Sequence, residues 1–263
     1  MPQVMRDRGL GGVELAYCID GAQDDVGRTS FLFLGGFKSD MTGTKAEAIA
    51  DLARATRRQT LRFDYSGHGQ SSGAFTEGTM SAWSEQCVHM FLAHTKSKVI
   101  VIGSSMGGWL AQLLVRRLKS EDPPAYRRIA GLVLLAPATD MTKVLMWERY
   151  DKAARDALRD KGIYREPSSY GEPYEITAQL IADGENHLLL ETGLDVPFPV
   201  RILQGSEDLD VPPAHALSTY EALRGADVTL TYIKGGDHRL STPGNLRLIC
   251  ETTLRLAERA DGA

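Results

Sequence analysis

The fold of this chain is decided by one stretch, Val99-Ile100-Val101-Ile102-Gly103-Ser104-Ser105-Met106-Gly107-Gly108-Trp109-Leu110. It opens with four branched apolar residues, a pattern typical of a strand buried on both faces of a parallel sheet. From Trp109 onward the apolar residues recur at helical spacing. The stretch therefore predicts a strand, a tight glycine-rich turn and a helix, with Ser105 in the turn.

Ser105 is the candidate nucleophile of the chain. A tight turn between strand and helix lifts its central side chain above the sheet edge, next to helix N–H groups that lack partners and to the positive end of the helix dipole. The pattern Gly103-x-Ser105-x-Gly107 alone also fits an ordinary tight turn. The strand before it and the helix after it are what favour a nucleophile.

On both sides of this stretch, strands alternate with helices. Residues 12–19 predict an antiparallel edge strand or hairpin. Further mostly apolar runs predict strands at 29–34, 60–65, 129–136, 200–203 and 228–233. This alternation predicts a mostly parallel central sheet with helices on both faces and a ligand site beyond the carboxyl ends of the strands.

Residues 138–196 interrupt the alternation. They include helical patterns at 144–160 and 176–182, separated by a turn-rich stretch at 166–173. A long excursion from the carboxyl edge of a sheet predicts a helical cap over a pocket. We expect a single domain over 1–263 with this cap inserted at about 138–196.

The cap supplies candidate residues for a substrate pocket. Its candidate apolar lining is Met141, Leu145, Met146, Trp147 and Leu188 to Leu190, and from these we name Leu145, Trp147 and Leu188 as the pocket residues. Each of them alone could equally pack the cap onto the body of the protein.

Composition narrows the function classes. The 263 residues carry a formal net charge of -4, which gives no basic excess for nucleic acid or an anionic membrane. Cys18, Cys87 and Cys250 lack metal-site spacing, so we expect no metal. The first residues contain no apolar segment and no later run would span a membrane, so we expect a cytoplasmic protein without a membrane span. Small molecules are the expected partners.

A serine nucleophile needs a base, and the base needs an acceptor that fixes its tautomer. His238 follows the last predicted strand and Asp208 follows the strand before it, so the chain order is nucleophile, acid, base. Asp210 and Asp237 are rivals for the acid. We favour Asp208, because Asp237 adjoins the base in sequence and would point elsewhere, while Asp210 lies just before Val211-Pro212.

Attack on an acyl carbon creates an oxyanion, which two backbone N–H groups can stabilise. We expect one from Met106, at the start of the helix, and one from Phe37, in the loop after the strand at 29–34. Of the other histidines, His68 is expected to anchor its glycine-rich loop by hydrogen bonds, while His89 and His94 are expected to face solvent.

Three motifs give the chain a family likeness: Arg62-Phe63-Asp64-Tyr65-Ser66-Gly67-His68-Gly69, the Ser105 stretch, and Asp237-His238-Arg239. Together they resemble the α/β-hydrolase superfamily over nearly the whole chain. Within it they are similar to the mitochondrial palmitoyl-protein thioesterases that also act as acyl-glucuronide esterases. The resemblance implies the α/β-hydrolase fold and assigns the catalytic triad to Ser105, Asp208 and His238.

The same resemblance implies a serine hydrolase without metal or organic cofactor. Its substrate would be a small-molecule acyl ester or acyl thioester, or an acylated protein. We therefore predict a carboxylesterase or thioesterase that acts through an acyl-Ser105 intermediate.

Two other function classes stay open. Gly103-x-x-x-Gly107-Gly108 also fits a turn of an NAD(P)-binding oxidoreductase, but that fingerprint belongs in the first strand-helix-strand unit rather than in the middle of the sheet. A non-catalytic binding module on the same scaffold is the second alternative, since fold does not imply function.

Overall fold

A central sheet organises the structure, a computed structural model that describes residues 3–21, 27–167 and 172–262. The strands of the described structure are β1 (Met5–Leu10), β2 (Val13–Gly21), β3 (Ser30–Leu34), β4 (Gln59–Phe63), β5 (Val99–Ser104), β6 (Ile129–Leu135), β7 (Ile163–Glu166), β8 (Tyr174–Thr177), β9 (Leu194–Asp195), β10 (Val200–Gly205), β11 (Leu223–Arg224) and β12 (Val228–Ile233). Its helices are α1 (Thr44–Thr56), α2 (Met80–His94), α3 (Met106–Glu121), α4 (Pro123–Tyr126), α5 (Lys152–Lys161), α6 (Ala178–Gly184), α7 (Pro213–Ala222) and α8 (Pro243–Asp261).

Eight of these strands form one sheet in the order β1-β2-β4-β3-β5-β6-β10-β12. β1 and β2 pair antiparallel with each other, and β2 pairs antiparallel with β4. The other six strands of this sheet, β4, β3, β5, β6, β10 and β12, are parallel to one another. The sheet is thus mostly parallel with an antiparallel edge hairpin, as the sequence predicted. Because parallel strands share one carboxyl edge, the loops after β3, β5, β10 and β12 all open on the same side.

Strand β5 is buried on both faces, which explains its continuous apolar run. Val99 and Val101 pack in the core formed with α2 and α3, while Ile100 and Ile102 pack in the core formed with α1 and α8. Successive side chains of a strand point to opposite faces, so helices on both sides require apolar residues at every position. Each such side chain contributes roughly 1.5–3 kcal/mol on full burial.

The excursion between β6 and β10 contains a π-helix (Met141–Trp147), α5, an antiparallel β7–β8 hairpin and α6. The helix expected at 144–160 is therefore divided, because Asp151 caps a new helix by accepting a hydrogen bond from the Ala154 N–H at 2.8 Å. Residues 168–171 of the turn-rich stretch lie outside the described residues. The single-domain organisation with a cap at about 138–196 stays a prediction.

Candidate active site

Three loops at the carboxyl edge of the sheet bring together the residues predicted as nucleophile, base and acid. The Nε2 atom of His238 lies 3.1 Å from the Ser105 hydroxyl oxygen, and its Nδ1 atom lies 2.9 Å from Oδ2 of Asp208. The serine follows β5, the aspartate follows β10 and the histidine follows β12. Both distances are within hydrogen-bonding range, so the three side chains form a continuous chain. Their catalytic roles stay predictions.

The turn around Ser105 is strained. Its backbone has φ 55° and ψ -119°, a conformation rare for residues other than glycine. The neighbouring glycines permit it by close backbone contact. A Cβ on Gly103 would lie 2.3 Å from the Gly107 carbonyl oxygen, and one on Gly107 would lie 2.1 Å from that of Leu34. The sequence Gly-x-Ser-x-Gly is thus required by the packing of α3 against β3 and β5.

Asp208 is held in one orientation. Its Oδ1 atom accepts hydrogen bonds from the N–H groups of Asp210 at 3.0 Å and Val211 at 2.8 Å, and its Oδ2 atom accepts one from the Gln204 amide at 3.0 Å. The side chain is buried, whereas the rivals Asp210 and Asp237 are exposed. The geometry therefore places Asp208, rather than either rival, at the Nδ1 atom of the histidine.

The two residues expected to stabilise an oxyanion flank Ser105. Met106 is buried and begins α3, and the first N–H groups of a helix have no partner within it. A Cβ on Gly36 would lie 3.3 Å from that of Ser105, so the loop carrying Phe37 lies against the serine. The Phe37 ring packs edge-on against Phe75. The oxyanion roles stay predictions.

The loop that carries Phe37 is fixed by two charged residues whose role the sequence did not reveal. The Arg62 guanidinium donates to the Met41 carbonyl at 2.7 Å, and an Asp64 carboxylate oxygen accepts from the Met41 N–H at 2.6 Å. Asp20 at 2.8 Å and Glu47 at 2.5 Å pair with Arg62, which is fully buried. A charged residue between Leu61 and Phe63 of β4 was the available signal.

A cavity of about 790 Å³ opens at Ser105 and His238. The π-helix contributes Met141, Leu145 and Met146 to its wall. Two other predicted pocket residues lie outside the described lining. Trp147 is 37% exposed and stacks under the Arg155 guanidinium, and Leu188 uses its carbonyl to accept a hydrogen bond from Arg116.

One group of side chains has the spacing of a metal site. Asp208, Asp210 and His238 offer ligand atoms that lie within 4.8 Å of one another. However, each carboxylate oxygen of Asp208 already accepts two hydrogen bonds. Oδ1 accepts both of its bonds from backbone N–H groups, and Oδ2 accepts one from the Gln204 amide and one from His238. That arrangement suits the acid of a hydrogen-bonded triad better than a ligand with a free lone pair. The absence of a metal requirement stays a prediction.

His68 lies apart from these groups. It is buried, and its Nδ1 atom donates a hydrogen bond to the Ser66 carbonyl at 3.2 Å. Burial lowers its pKa to about 4, so the ring is neutral at physiological pH. The geometry supports the predicted role of a loop anchor.

Comparison with known proteins assigns this chain to a family. Residues 31–246 match the Alpha/beta hydrolase family, and the chain belongs to that family. The predicted α/β-hydrolase fold is thereby confirmed, and the chain is assigned to the hydrolases.

Individual relatives share most of the chain. The palmitoyl-protein thioesterase ABHD10, mitochondrial, of Bos taurus is 30% identical over 224 residues, which cover 84% of this chain and 70% of that protein. A candidate hydrolase from Agrobacterium vitis S4 is 37% identical with a TM-score of 0.91, covering 98% of both chains. Alpha/beta hydrolase domain-containing protein 10 from mouse is 27% identical with a TM-score of 0.84, covering 98% of this chain and 99% of that one.

The expected cytoplasmic location is wrong by this comparison, because the curated relatives are named as mitochondrial proteins. Targeting signals are read by receptors and are separate from the fold, so the folded residues gave no basis for that expectation. Within the described ranges, no helix has the length and apolar content needed to cross a bilayer.

Proposed function

We propose that this protein is a serine hydrolase that cleaves carboxylic esters or acyl thioesters through an acyl-Ser105 intermediate. One observation carries the proposal, the hydrogen-bonded chain from Ser105 through His238 to Asp208, with distances of 3.1 and 2.9 Å. A serine hydroxyl becomes an effective nucleophile when an oriented imidazole can take its proton.

In the acylation step, Nε2 of His238 accepts the Ser105 proton while the serine oxygen attacks the acyl carbon. The buried carboxylate of Asp208 stabilises the imidazolium that results. The oxyanion is stabilised by the backbone N–H groups of Met106 and Phe37, a contribution commonly worth about 3–4 kcal/mol for one donor. Collapse of the tetrahedral intermediate breaks the bond to the leaving group, which receives the proton from Nε2.

In the deacylation step, the same imidazole removes a proton from water, which attacks the acyl carbon. The bond from that carbon to the Ser105 oxygen then breaks, the serine oxygen receives the proton from Nε2, and the carboxylic acid is released. An alkoxide leaving group depends on protonation more than a thiolate does, since a thiol has an ordinary pKa of about 8.5. The triad geometry serves both substrates. The relatives named as palmitoyl-protein thioesterases support acyl thioesters, including acylated proteins, as one of the two substrate classes.

We further propose that residues 138–196 act as a cap that shapes the acyl pocket. The support is the cavity wall, because the π-helix contributes Met141, Leu145 and Met146 to the cavity that Ser105 lines and the β8 strand contributes Tyr174. Apolar side chains next to the nucleophile favour an acyl group there. Leu145 thus keeps its assignment as a pocket residue in this proposal.

The test is the Ser105→Ala variant. We expect its kcat on p-nitrophenyl acetate and on a matched acetyl thioester to fall by on the order of 10⁴-fold or more, because the nucleophile is gone. Ser84→Ala is the matched control, since it removes a buried hydroxyl on α2 that does not line the cavity. Equal activity of Ser105→Ala and the wild type would refute the proposal.

A further inference from the structure

Lys45 lies in the wall of the catalytic cavity, opposite the loop that carries His238. It is the second residue of α1, and its ammonium donates a hydrogen bond to the Arg239 carbonyl at 2.5 Å. Arg239 directly follows His238 in the chain. The contact therefore joins the region after β3 to the residue next to the proposed base, across the carboxyl edge of the sheet.

This position is unfavourable for a lysine in two ways. A cation in the first turn of a helix opposes the helix dipole. Burial disfavours the charged form and lowers the pKa of Lys45 to about 8, with Arg239 acting in the same direction and Asp237 and Asp208 opposing it. Within the described residues, no carboxylate pairs with its ammonium. Neither helix stability nor ion pairing accounts for a lysine here.

The loop around His238 is also held by hydrogen bonds to β12 and within the loop itself. The Gly236 N–H donates to the Ile233 carbonyl at 3.0 Å, and the Leu240 N–H donates to the Asp237 carboxylate at 3.0 Å. Leu240 is fully buried with φ 47°, a conformation that the surroundings must hold in place. The hydrogen bond from Lys45 holds the same loop from another part of the chain, the helix α1 that follows β3.

We propose that Lys45 is a positioning residue for the base, holding the Arg239 carbonyl so that the His238 ring stays within reach of Ser105. This inference rests on the proposed function, because it assigns Lys45 a role only if His238 is the base. The bond is charge-assisted, and such bonds are roughly twice as strong as neutral ones. Loss of the ammonium proton at high pH weakens the tie without removing the side chain.

The test compares Lys45→Met, which removes the donor, with Lys45→Arg, which keeps a charged donor at every accessible pH. p-Nitrophenyl acetate is the substrate, because it carries no charge that Lys45 could bind. We expect kcat of Lys45→Met to fall at least about tenfold with KM within about twofold, since a misplaced base affects the transition state rather than binding. We expect Lys45→Arg to recover most of that loss.

The pH profile separates positioning from a general loss of stability. We expect kcat of the wild type to decline above about pH 8, where the Lys45 ammonium titrates, and kcat of Lys45→Arg to keep its plateau. The charged groups that act on this ammonium are Asp237, Arg239 and Asp208, and His238 lines the same cavity. Because the Lys45→Arg and wild-type proteins are compared directly, the test stands even if Lys45→Met does not fold.

Lys98→Met is the matched control, because its ammonium also donates to a backbone carbonyl, that of Ala260 at 2.7 Å, at the opposite edge of the sheet. It is expected to keep the kcat of the wild type. An unchanged or increased kcat in Lys45→Met, or a pH decline shared by Lys45→Arg, would overturn the inference. Full activity of Ser105→Ala would instead show that the proposed function itself has failed.

Discussion

Asp208 is distinguished from its rivals Asp210 and Asp237 by the hydrogen bonds that hold it. Its carboxylate accepts from Gln204, Asp210 and Val211 and faces Nδ1 of His238, whereas Asp237 accepts from the Leu240 N–H within its own loop. The exposed carboxylate of Asp210 lies nearby but at the cavity wall.

The Asp208→Asn variant tests this distinction. We expect kcat on p-nitrophenyl acetate to fall by about 10²–10⁴-fold, because an amide neither stabilises an imidazolium nor fixes the correct tautomer. Asp210→Asn is expected to lose far less, with both variants checked for an unchanged melting temperature. The reverse order of losses would assign the acid to Asp210.

The residues that could be predicted from the sequence are those whose roles depend on following a strand. Ser105, Asp208 and His238 each do so, and a parallel sheet brings such loops together. Lys45 could not be predicted, because the Arg239 carbonyl that it contacts lies 194 positions away. The roles of Trp147 and Leu188 likewise depend on the course of the cap, which apolar character alone does not determine.

His89 and His94 show the same limit. The sequence predicts that both side chains face solvent. In the structure, their Nε2 atoms lie 2.7 and 2.6 Å from the carboxylate oxygens of Asp7 in β1. Burial of Asp7 raises its pKa, but bonds from the Gly9 N–H and both histidines outweigh that effect and lower the pKa to about 2. The two histidines thus join the edge hairpin to α2.

The contact between β3 and α3 is the packing on which the strained turn depends. Gly107 lies so close to β3 that a Cβ would be 2.1 Å from the Leu34 carbonyl oxygen and 2.5 Å from that of Gly35. Both obstacles are backbone atoms, which cannot rotate away. The helix itself would have to move, and it carries the Ser105 turn at its first residue.

The Gly107→Ala variant is expected to lower the free energy of unfolding by about 2 kcal/mol or more and to reduce kcat at least tenfold, since overpacking and a displaced turn act together. Urea unfolding and turnover of p-nitrophenyl acetate measure the two effects. Gly244→Ala in the first turn of α8 is the control, because among the described residues, apart from the adjoining backbone of the helix, no heavy atom lies within 4 Å of its added Cβ. A Gly107→Ala protein as stable and active as this control would contradict the packing argument.

Most strands and helices outside residues 138–196 could be predicted from their apolar residues, which form continuous runs in the buried strands and recur at helical spacing in the helices. β3, β5 and β6 are apolar on both faces, and α1 and α2 repeat at helical spacing. The β7–β8 hairpin was missed because its strands have four residues each and mix charged and apolar side chains. The π-helix was missed because its hydrogen-bond spacing leaves no separate sequence pattern.

At the scale of the whole molecule, the sequence determines the architecture of the sheet but not the cellular location or the substrate. The mostly parallel sheet follows from the alternation of strands and helices, so it could be predicted from the sequence, whereas the strand order was not predicted. Cellular location could not, since targeting is separate from the folded residues. The choice between ester and thioester also lies outside the proposed triad, because in the proposed mechanism both substrates form the same acyl-Ser105 intermediate.

The central claim is that one hydroxyl, that of Ser105, is activated by His238 and forms a covalent bond to the acyl group. A fluorophosphonate probe reacts covalently with an activated serine, so the most direct measurement is peptide mapping of the labelled wild-type protein by mass spectrometry. The account predicts one adduct, on the peptide that contains Ser105, and none in a folded His238→Ala variant. Labelling at another residue, or no labelling of the wild-type protein, would contradict it.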